Sequence, residues 1–568
     1  MIARVLLVAL VLVIAVCSYP GALIQSMVVR LSPLRAATSQ AASGTTPWLH
    51  VEHPVQGTPY IADDQGRMVL LHGAIPASLL EFGSTATTPP GSPIYPIDPA
   101  AYDGKCPDAV AAGHYPPLCQ ADLVQMAAMG FNSMRLPLVW SLLEPERGRF
   151  NQLYVDRVEQ IVDWARALGL YVIIDMHQNA YSAFVGAGPD VDLTSNSGAP
   201  AWATITDGLP SRELVSGRRE TNPAAFEAFS NFWYNRDGIQ AEYIDAIAYL
   251  ARRFRDDSTV AGFSVFNEPQ PGWNLPPGFE DLLLFPFYRR VIDAITGAGD
   301  GIPCWTGFFM PAPCGFPDQG IHDLHQLIFL DTGLDREITD FPTHLGLPFT
   351  SYANVVLSLH AYTHIYTFDA LAHQPLEQAT YPWGGYDQSY SLAEREARAM
   401  NAALFVAEFG DSPSQDSVIL ANQLLEQEHH RVGFAFWVWK ENGSGAWGMF
   451  DPAKAAGTSP LPSSGCLRAA RERLLARVYP VASSDPNLTY HYDSGTGAFT
   501  LAAIGGAGAP ATLVYIPPEV RGAVASSGTA VPVTETRPDG SRLVTAAPSG
   551  DAFSITVAPA PLVLTGCG

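Results

Sequence analysis

Eight apolar runs punctuate the chain: VLLHGA (69–74), FNSMRLP (131–137), YVIIDMH (171–177), GFSVFNE (262–268), LIFLDTG (327–333), NVVLSLHAY (354–362), LFVAEFG (404–410) and VGFAFWVWK (432–440). Most are near-continuous rather than alternating, the pattern of a strand covered on both faces within a parallel sheet. Parallel strands need long crossovers, and the segments between the runs carry helical spacing. In YVDRVEQIVDWARALG (154–169) apolar residues recur three and four apart, and the closing Gly169 suits a helix C-cap. Eight strand and helix units predict an α/β chain with a (β/α)8 TIM barrel over residues 61–475.

Long insertions follow three of the strands, at 84–120, 178–235 and 303–322, and their Gly, Pro and aromatic residues predict loops that shape a cleft. After about residue 475 the texture changes to short alternating segments such as ATLVYIPPEV and SRLVTAAPSGDAFSITV. These predict a small C-terminal antiparallel β-sandwich over 476–568. The tail lacks a cluster of acid, base and nucleophile, so a packing or auxiliary role is expected of it. Residues 37–60, rich in Ala, Ser, Thr and Pro, are expected to be a spacer.

The opening MIARVLLVALVLVIAVCSYPGALI places Arg4 before a short aliphatic run. Residues 1–36 therefore read as a secretory signal peptide or an N-terminal anchor, and the protein as secreted or extracytoplasmic. Setting Cys17 aside leaves six of the seven cysteines, which in an oxidising compartment read as disulfides. Short loops favour Cys106 with Cys119 and Cys304 with Cys314, leaving Cys466 for Cys567, with other pairings open. A zinc site is the rival reading, but no C-x-x-C spacing supports it.

The formal charge of −23, with Lys only at positions 105, 440 and 454, opposes binding to nucleic acid or anionic lipid. A composition 47% hydrophobic and 15% charged excludes wholesale disorder. No nucleotide fingerprint or serine nucleophile elbow is present.

Seven of the eight runs present a polar residue at or near their carboxyl end: Arg135, Asp175 with His177, Asn267 with Glu268, Asp331, His360 with Tyr362, Glu408, and Trp437 or Trp439. Buried polar groups need partners, so this ring implies mutual hydrogen bonding around a cleft at the edge where barrels build their chemistry. Glu268 on the fourth strand and Glu408 on the seventh would face one another across the mouth. Paired carboxylates flanking a scissile bond are what glycoside hydrolysis needs.

MRLP (134–137), DMHQ (175–178), NEP (267–269), LHAY (359–362) and AEFG (407–410) resemble the landmarks of glycoside hydrolase family 5. Within it the chain is similar to the endoglycoceramidases, which release the intact sugar chain of a glycosphingolipid by cutting its bond to ceramide. The resemblance covers about residues 60–475 and continues into the sandwich. It implies Glu268 as general acid/base and Glu408 as nucleophile in a retaining reaction. Asn267 would bind the sugar's 2-hydroxyl, Arg135 would hold Glu408 ionised, and Tyr362 would donate to the same carboxylate. His177 and His360 would line the sugar subsite, Asp175 would orient them or bind sugar hydroxyls, and one of Trp437 and Trp439 would give a stacking platform. The family's third-strand motif runs Asp-Met-His-Gln-Asp, whereas here DMHQNAYS places Asn179 where the acid stands, at the sugar end of the cleft. That departure leaves the glycan preference open.

On the other side, WNLPPGFEDLLLFPFYRRVIDAI (273–295) and, more weakly, GFFMPAPCGFP (307–317) predict a hydrophobic lip for alkyl chains, with a buried helix face as the alternative for the first. The expected partners are a glycolipid or oligosaccharide substrate and, transiently, a membrane or micelle surface. A monomer is expected, with no metal or cofactor implied. The second reading is a family 5 β-glucosidase or glucanase acting on glucosylceramide, steryl glucoside or β-glucan. A third is a non-catalytic carbohydrate-binding barrel, which the intact set of carboxylates with Asn, Arg and Tyr argues against.

Overall fold

Each apolar run becomes a strand. In chain order these are β1 (His72–Ala74), β2 (Ser133–Leu138), β3 (Tyr171–Met176), β4 (Val260–Ser264), β5 (Leu327–Asp331), β6 (Val355–His360), β7 (Ala403–Phe409) and β8 (Gly433–Phe436). All eight are buried almost throughout, as strands covered on both faces must be. They pair in parallel with their sequence neighbours, and β8 closes on β1 through Phe434 opposite His72. The computed structural model describes residues 46–567 apart from 83–89, 94, 96, 102–103, 107–113, 187–195, 216–218, 275–277, 300–302, 306–310, 314, 341, 344–348, 350–351, 363–384, 444–445, 455–460 and 462–463.

Helices pack outside the closed sheet. Helix α1 (Gln152–Leu168) ends where the sequence predicts, with Gly169 left-handed at φ 68°. Its apolar stripe of Val155, Val158, Ile161, Val162 and Ala165 is fully buried in the main core. Helix α2 (Pro223–Trp233) starts at Asn222, whose side chain accepts from Ala224 N. Helix α3 (Phe285–Thr296) follows β4 and, with Phe279 and Leu284 before it, buries Phe287, Tyr288 and Val291. For most of 273–295 the buried-face alternative is therefore the one observed. Among the described apolar residues there, Trp273 and Leu282, 49% and 47% exposed, stand out into solvent. Of the segment 307–317, residues 307–310 and 314 lie outside the described residues.

The register brings polar strand ends to one level. Asp175 pairs with Ser264, Asp331 with Ser358, and His360 with Glu408 after a shift at Leu359. The ring expected at the carboxyl edge thus exists as one layer of the barrel.

The C-terminal region is a two-sheet antiparallel sandwich. One sheet orders the strands Thr489–Asp493, Ala498–Ile504, Ala552–Val557 and Val524–Ser527. The other contains Tyr479–Ser483, Thr512–Ile516, Arg542–Ala546 and Val533–Thr536, and it is completed by His50–Glu52, Tyr60–Ala62 and Met68–Val69. Residues 50–60, expected to be spacer, are therefore partly strand. Val51 and Ile61 are buried on this sheet, but three-residue strands separated by Pro54 and Gly57 leave too short an alternation to read. Cys106 is bonded to Cys119, and Cys466 to Cys567. The pairing of Cys304 with Cys314 falls partly outside the described residues, as do the signal or anchor at 1–36 and the spacer before residue 46. Among the described residues no helix is long and apolar enough to cross a membrane.

Candidate active site

Arg135 organises the floor of the barrel mouth. It is fully buried on β2, and its Nη1 donates to Glu408 Oε1 at 2.5 Å. Its Nη2 donates to Asp175 Oδ1 at 2.9 Å and to Asn267 Oδ1 at 2.9 Å, and lies 3.4 Å from Asp331 Oδ2. Burial opposes the charge of a guanidinium, but Asp175, Asp331 and Glu408 outweigh it and hold Arg135 charged. Asn267 is thus locked at both ends, since its Nδ2 also donates to Gln178 O at 3.0 Å.

Glu268 follows in a left-handed conformation, φ 43°, a conformation that costs a non-glycine residue about 1–3 kcal/mol. The surroundings impose it. Gln178 Nε2 donates to Asn267 O at 2.8 Å and to Glu268 O at 3.0 Å, while Glu268 N donates to Asp331 Oδ2 at 3.3 Å. The result turns the Glu268 side chain, 20% exposed, into the mouth toward Glu408. On β7, Gly410 lets the backbone pass close under Trp437, because a Cβ there would sit 2.1 Å from Trp437 O.

His360 lies between the two carboxylates. Its Nδ1 is 3.1 Å from Glu268 Oε1 and 3.6 Å from Glu408 Oε2, and its Nε2 is 3.2 Å from Asp331 Oδ2. Tyr362 donates to Glu408 Oε2 at 3.1 Å, as expected. Ligand atoms of Glu268, His360 and Glu408 all lie within 4.8 Å of one another, so the two carboxylates approach that closely.

The electrostatics correct one expectation. Burial pushes the Glu408 carboxyl up despite His360 and Arg135, and the charge of Glu268 adds to the rise, so Arg135 alone does not keep it ionised. Burial also raises Glu268, but the hydrogen bond and charge of His360, with help from His177 and Arg219, bring it below the ordinary carboxyl value. His360 loses charge stability to burial and regains more from Glu337, Glu408 and Asp331, which holds it as imidazolium. The two carboxylates and His360 lie close enough for their titrations to be coupled.

The sugar side is built on β3. Asp175 Oδ2 and His177 Nδ1 are 2.8 Å apart, and His177 Nε2 lies 3.3 Å from Asn179 Nδ2. The His177 ring is parallel to Trp437 with centroids 5.6 Å apart, and Tyr115 meets Trp437 edge-on at 5.9 Å. Trp437 is thus the aromatic wall of the mouth. Trp439 is not: it is fully buried, donates from Nε1 to Asp122 Oδ1 at 2.9 Å, and packs edge-on to Phe450. Ladder pairing stops at Phe436, so strand alternation no longer dictates where the two indoles point.

Several residues here had no assigned role in the sequence reading. Asp331 stood out as a strand end, yet its bonds to His360 and to the Glu268 backbone depend on three different strands. Glu337 is buried 3.6 Å from His360 Nδ1, and burial pushes its carboxyl well up. Nothing in its local sequence separates it from an ordinary helix acid. Gln178 was visible within DMHQ, but Tyr115 and Arg219 arrive from long loops. Two donor sets, Glu268 with Glu408 and Asp331 with Glu337, each share His360 in a spacing fit for a metal ion. In this arrangement His360 bridges the acids of both sets by hydrogen bond and charge.

The chain matches the family described as Cellulase (glycosyl hydrolase family 5) over residues 109–443, more than half of its length. It is similar to Endoglycoceramidase I of Rhodococcus hoagii, 24% identical over 400 residues that cover 67% of this chain and 68% of that one. An endoglycoceramidase of Cyanea nozakii is 28% identical over 197 residues, 31% of this chain, which spans only 39% of that protein's length. A probable glucan 1,3-beta-glucosidase A of Aspergillus niger is 24% identical over 369 residues, 59% of this chain and 72% of its own. The fold is similar to the crystal structure of an endogalactoceramidase, with a TM-score of 0.68 and 25% identity over 90% of this chain and 100% of that one. With the family match running through every barrel strand but the first, this chain belongs to glycosyl hydrolase family 5 and is a glycoside hydrolase.

Proposed function

We propose that the protein is a retaining endo-glycosidase that hydrolyses the β-glycosidic bond between the oligosaccharide and the ceramide of a glycosphingolipid. The observation that carries the mechanism is the approach of the Glu268 and Glu408 oxygens to within 4.8 Å. Retaining enzymes hold their carboxyl groups about 5–5.5 Å apart, and inverting ones about 6.5–9.5 Å. Glu408 attacks the anomeric carbon and forms a glycosyl ester as the bond to the leaving oxygen breaks. Glu268 gives that oxygen its proton, then takes one from the water that cleaves the ester. For this step Glu268 must hold the proton and Glu408 must be ionised, against the direction in which burial and His360 shift the two carboxyls in the free site. The amide nitrogen of Asn267 keeps one hydrogen for the sugar's 2-hydroxyl, while Trp437 and His177 wall the ring.

The names borne by the relatives from Rhodococcus and Cyanea support the ceramide aglycone. The Aspergillus relative favours the second reading, a β-glucosidase or glucanase. Export through residues 1–36 belongs to the same proposal, supported by the two disulfides. The test is product analysis with gangliosides, lactosylceramide, glucosylceramide and cello-oligosaccharides, with Glu408→Gln as control. Intact oligosaccharide plus ceramide, lost in the variant, is the expected result. Cleavage confined to glucosylceramide, a steryl glucoside or cello-oligosaccharides moves the assignment to the second reading.

A further inference from the structure

Asn179 stands at the sugar end of the cleft on a fixed backbone, bridged both ways to Ser197 through N to O contacts of 2.9 and 3.2 Å. Its Oδ1 accepts from Arg219 Nη2 at 3.2 Å, and its Nδ2 lies beside His177 Nε2. Arg219 opens the single turn Arg219–Thr221 that leads into α2, is about a quarter exposed, and pairs through Nε with Glu220 at 3.1 Å. Its charge reaches across the mouth, where it acts on both Glu268 and Tyr115. Glu220 already offsets part of this guanidinium's charge; a carboxylate at position 179 would offset more of it and repel an anion, whereas the amide does neither.

An acidic substituent brought into this mouth meets Glu268, Glu408 and Asp175, whose compensating cations Arg135 and His360 are buried among them, so a favourable contact needs a cation it can reach. Arg219 is that cation, and the Asn179 amide adds a neutral donor beside it. We propose that Arg219 and Asn179 form an anion-reading subsite, so that the preferred glycone carries a carboxylate or a sulfate ester on the sugar held against His177 and Trp437. This specificity rests on the reading of the cleft as a glycolipid-cleaving site.

The test compares kcat/KM on ceramide glycosides bearing glucose, glucuronic acid or 6-O-sulfated glucose, and on the matching 4-methylumbelliferyl glycosides. It uses the wild type, Asn179→Asp and Arg219→Gln, each verified by its melting temperature. The expected result is a preference for an acidic glycone of about tenfold or more, which each substitution cuts back toward parity or reverses. Carboxylate and sulfate are separated by which of the two arms carries the preference. Merely structural roles for Arg219 and Asn179 would lower all rates together and leave the ratio alone. A ratio near one in the wild type, or one that survives both substitutions, overturns the subsite. Ceramide glycosides cleaved with a neutral preference overturn it too, while leaving the glycosphingolipid reading intact. An acidic preference seen only on methylumbelliferyl glycosides keeps the subsite and removes the ceramide aglycone instead.

Discussion

The Nδ1 of His360 lies 3.1 Å from Glu268 Oε1 while the Nε2 of the same ring lies 3.2 Å from Asp331 Oδ2. One ring thus joins the mouth of the cleft to the buried layer beneath it, and the proton that Glu268 would deliver in the proposed reaction has a neighbour beside it.

The two carboxylates should fail in different ways. Glu408→Gln would remove the proposed nucleophile, and kcat is expected to fall on the order of 10⁵-fold on every substrate. Glu268→Gln should cost about 10²–10⁴-fold on a glycolipid but far less in the first step with a dinitrophenyl leaving group, which needs no proton. Burst kinetics on the activated substrate reads the difference, and equal losses on both substrates would reject the assignment of roles.

Stability should fall as pH rises. Burial pushes Glu81, Glu280 and Glu519 each up to about 8, and it raises Glu337 as well. An unfolded Glu releases its proton near pH 4.3, so the folded chain binds more protons between there and about pH 8. Their contribution is complete below the unfolded value and lost as pH rises through the folded one. His360, also raised, adds in the same direction from about pH 6.5 upward. The melting temperature should be higher at pH 5 than at pH 8, and Glu519→Gln should flatten the slope. A melting temperature that climbs over this window contradicts the burial argument.

Arg135→Met should destabilise the fold by about 3–5 kcal/mol, because Asp175, Glu408 and Asp331 would be left without their buried cation. Denaturant unfolding measures it, and a change below about 1 kcal/mol would mean the cluster neutralises itself by protonation.

The two tryptophans should separate cleanly. Trp437→Ala is expected to raise KM by up to about tenfold with little loss of stability, since it removes a partly exposed stacking surface. Trp439→Ala should instead cost about 3–5 kcal/mol, because it empties a packed site and removes the Nε1 donor to Asp122 Oδ1. Isothermal binding of a product oligosaccharide, alongside thermal unfolding, checks both.

Cys466→Ser should cost about 2–5 kcal/mol, since the bond to Cys567 closes a loop of 101 residues between the end of the barrel and the chain terminus. A smaller loss on adding reductant to the variant than to the wild type, with Cys106–Cys119 reduced in both, is the supporting measurement.

The apolar runs by themselves determined the eight barrel strands. Each is a local stretch whose continuity has one physical meaning, burial on both faces, and whose last residue must then stand at the active edge. Glu268, Glu408, Arg135 and Tyr362 were legible for that reason: strand end and chemistry coincide in one short motif. What the sequence left undecided lies where local pattern stops. The chain passes Phe436 and leaves the ladder, so only packing against Asp122 and His177 separates the buried Trp439 from the exposed face of Trp437. Strands of two or three residues near the N-terminus carry no period, and their pairing with Tyr479–Ser483 exists only once the sandwich is folded. Glu337, Tyr115 and Arg219 reach the cleft from loops and a short helix, where position follows from tertiary contacts alone. The protonation of Glu408 was also beyond sequence, because burial and neighbouring charge act with opposite signs and only the three-dimensional arrangement sets their balance.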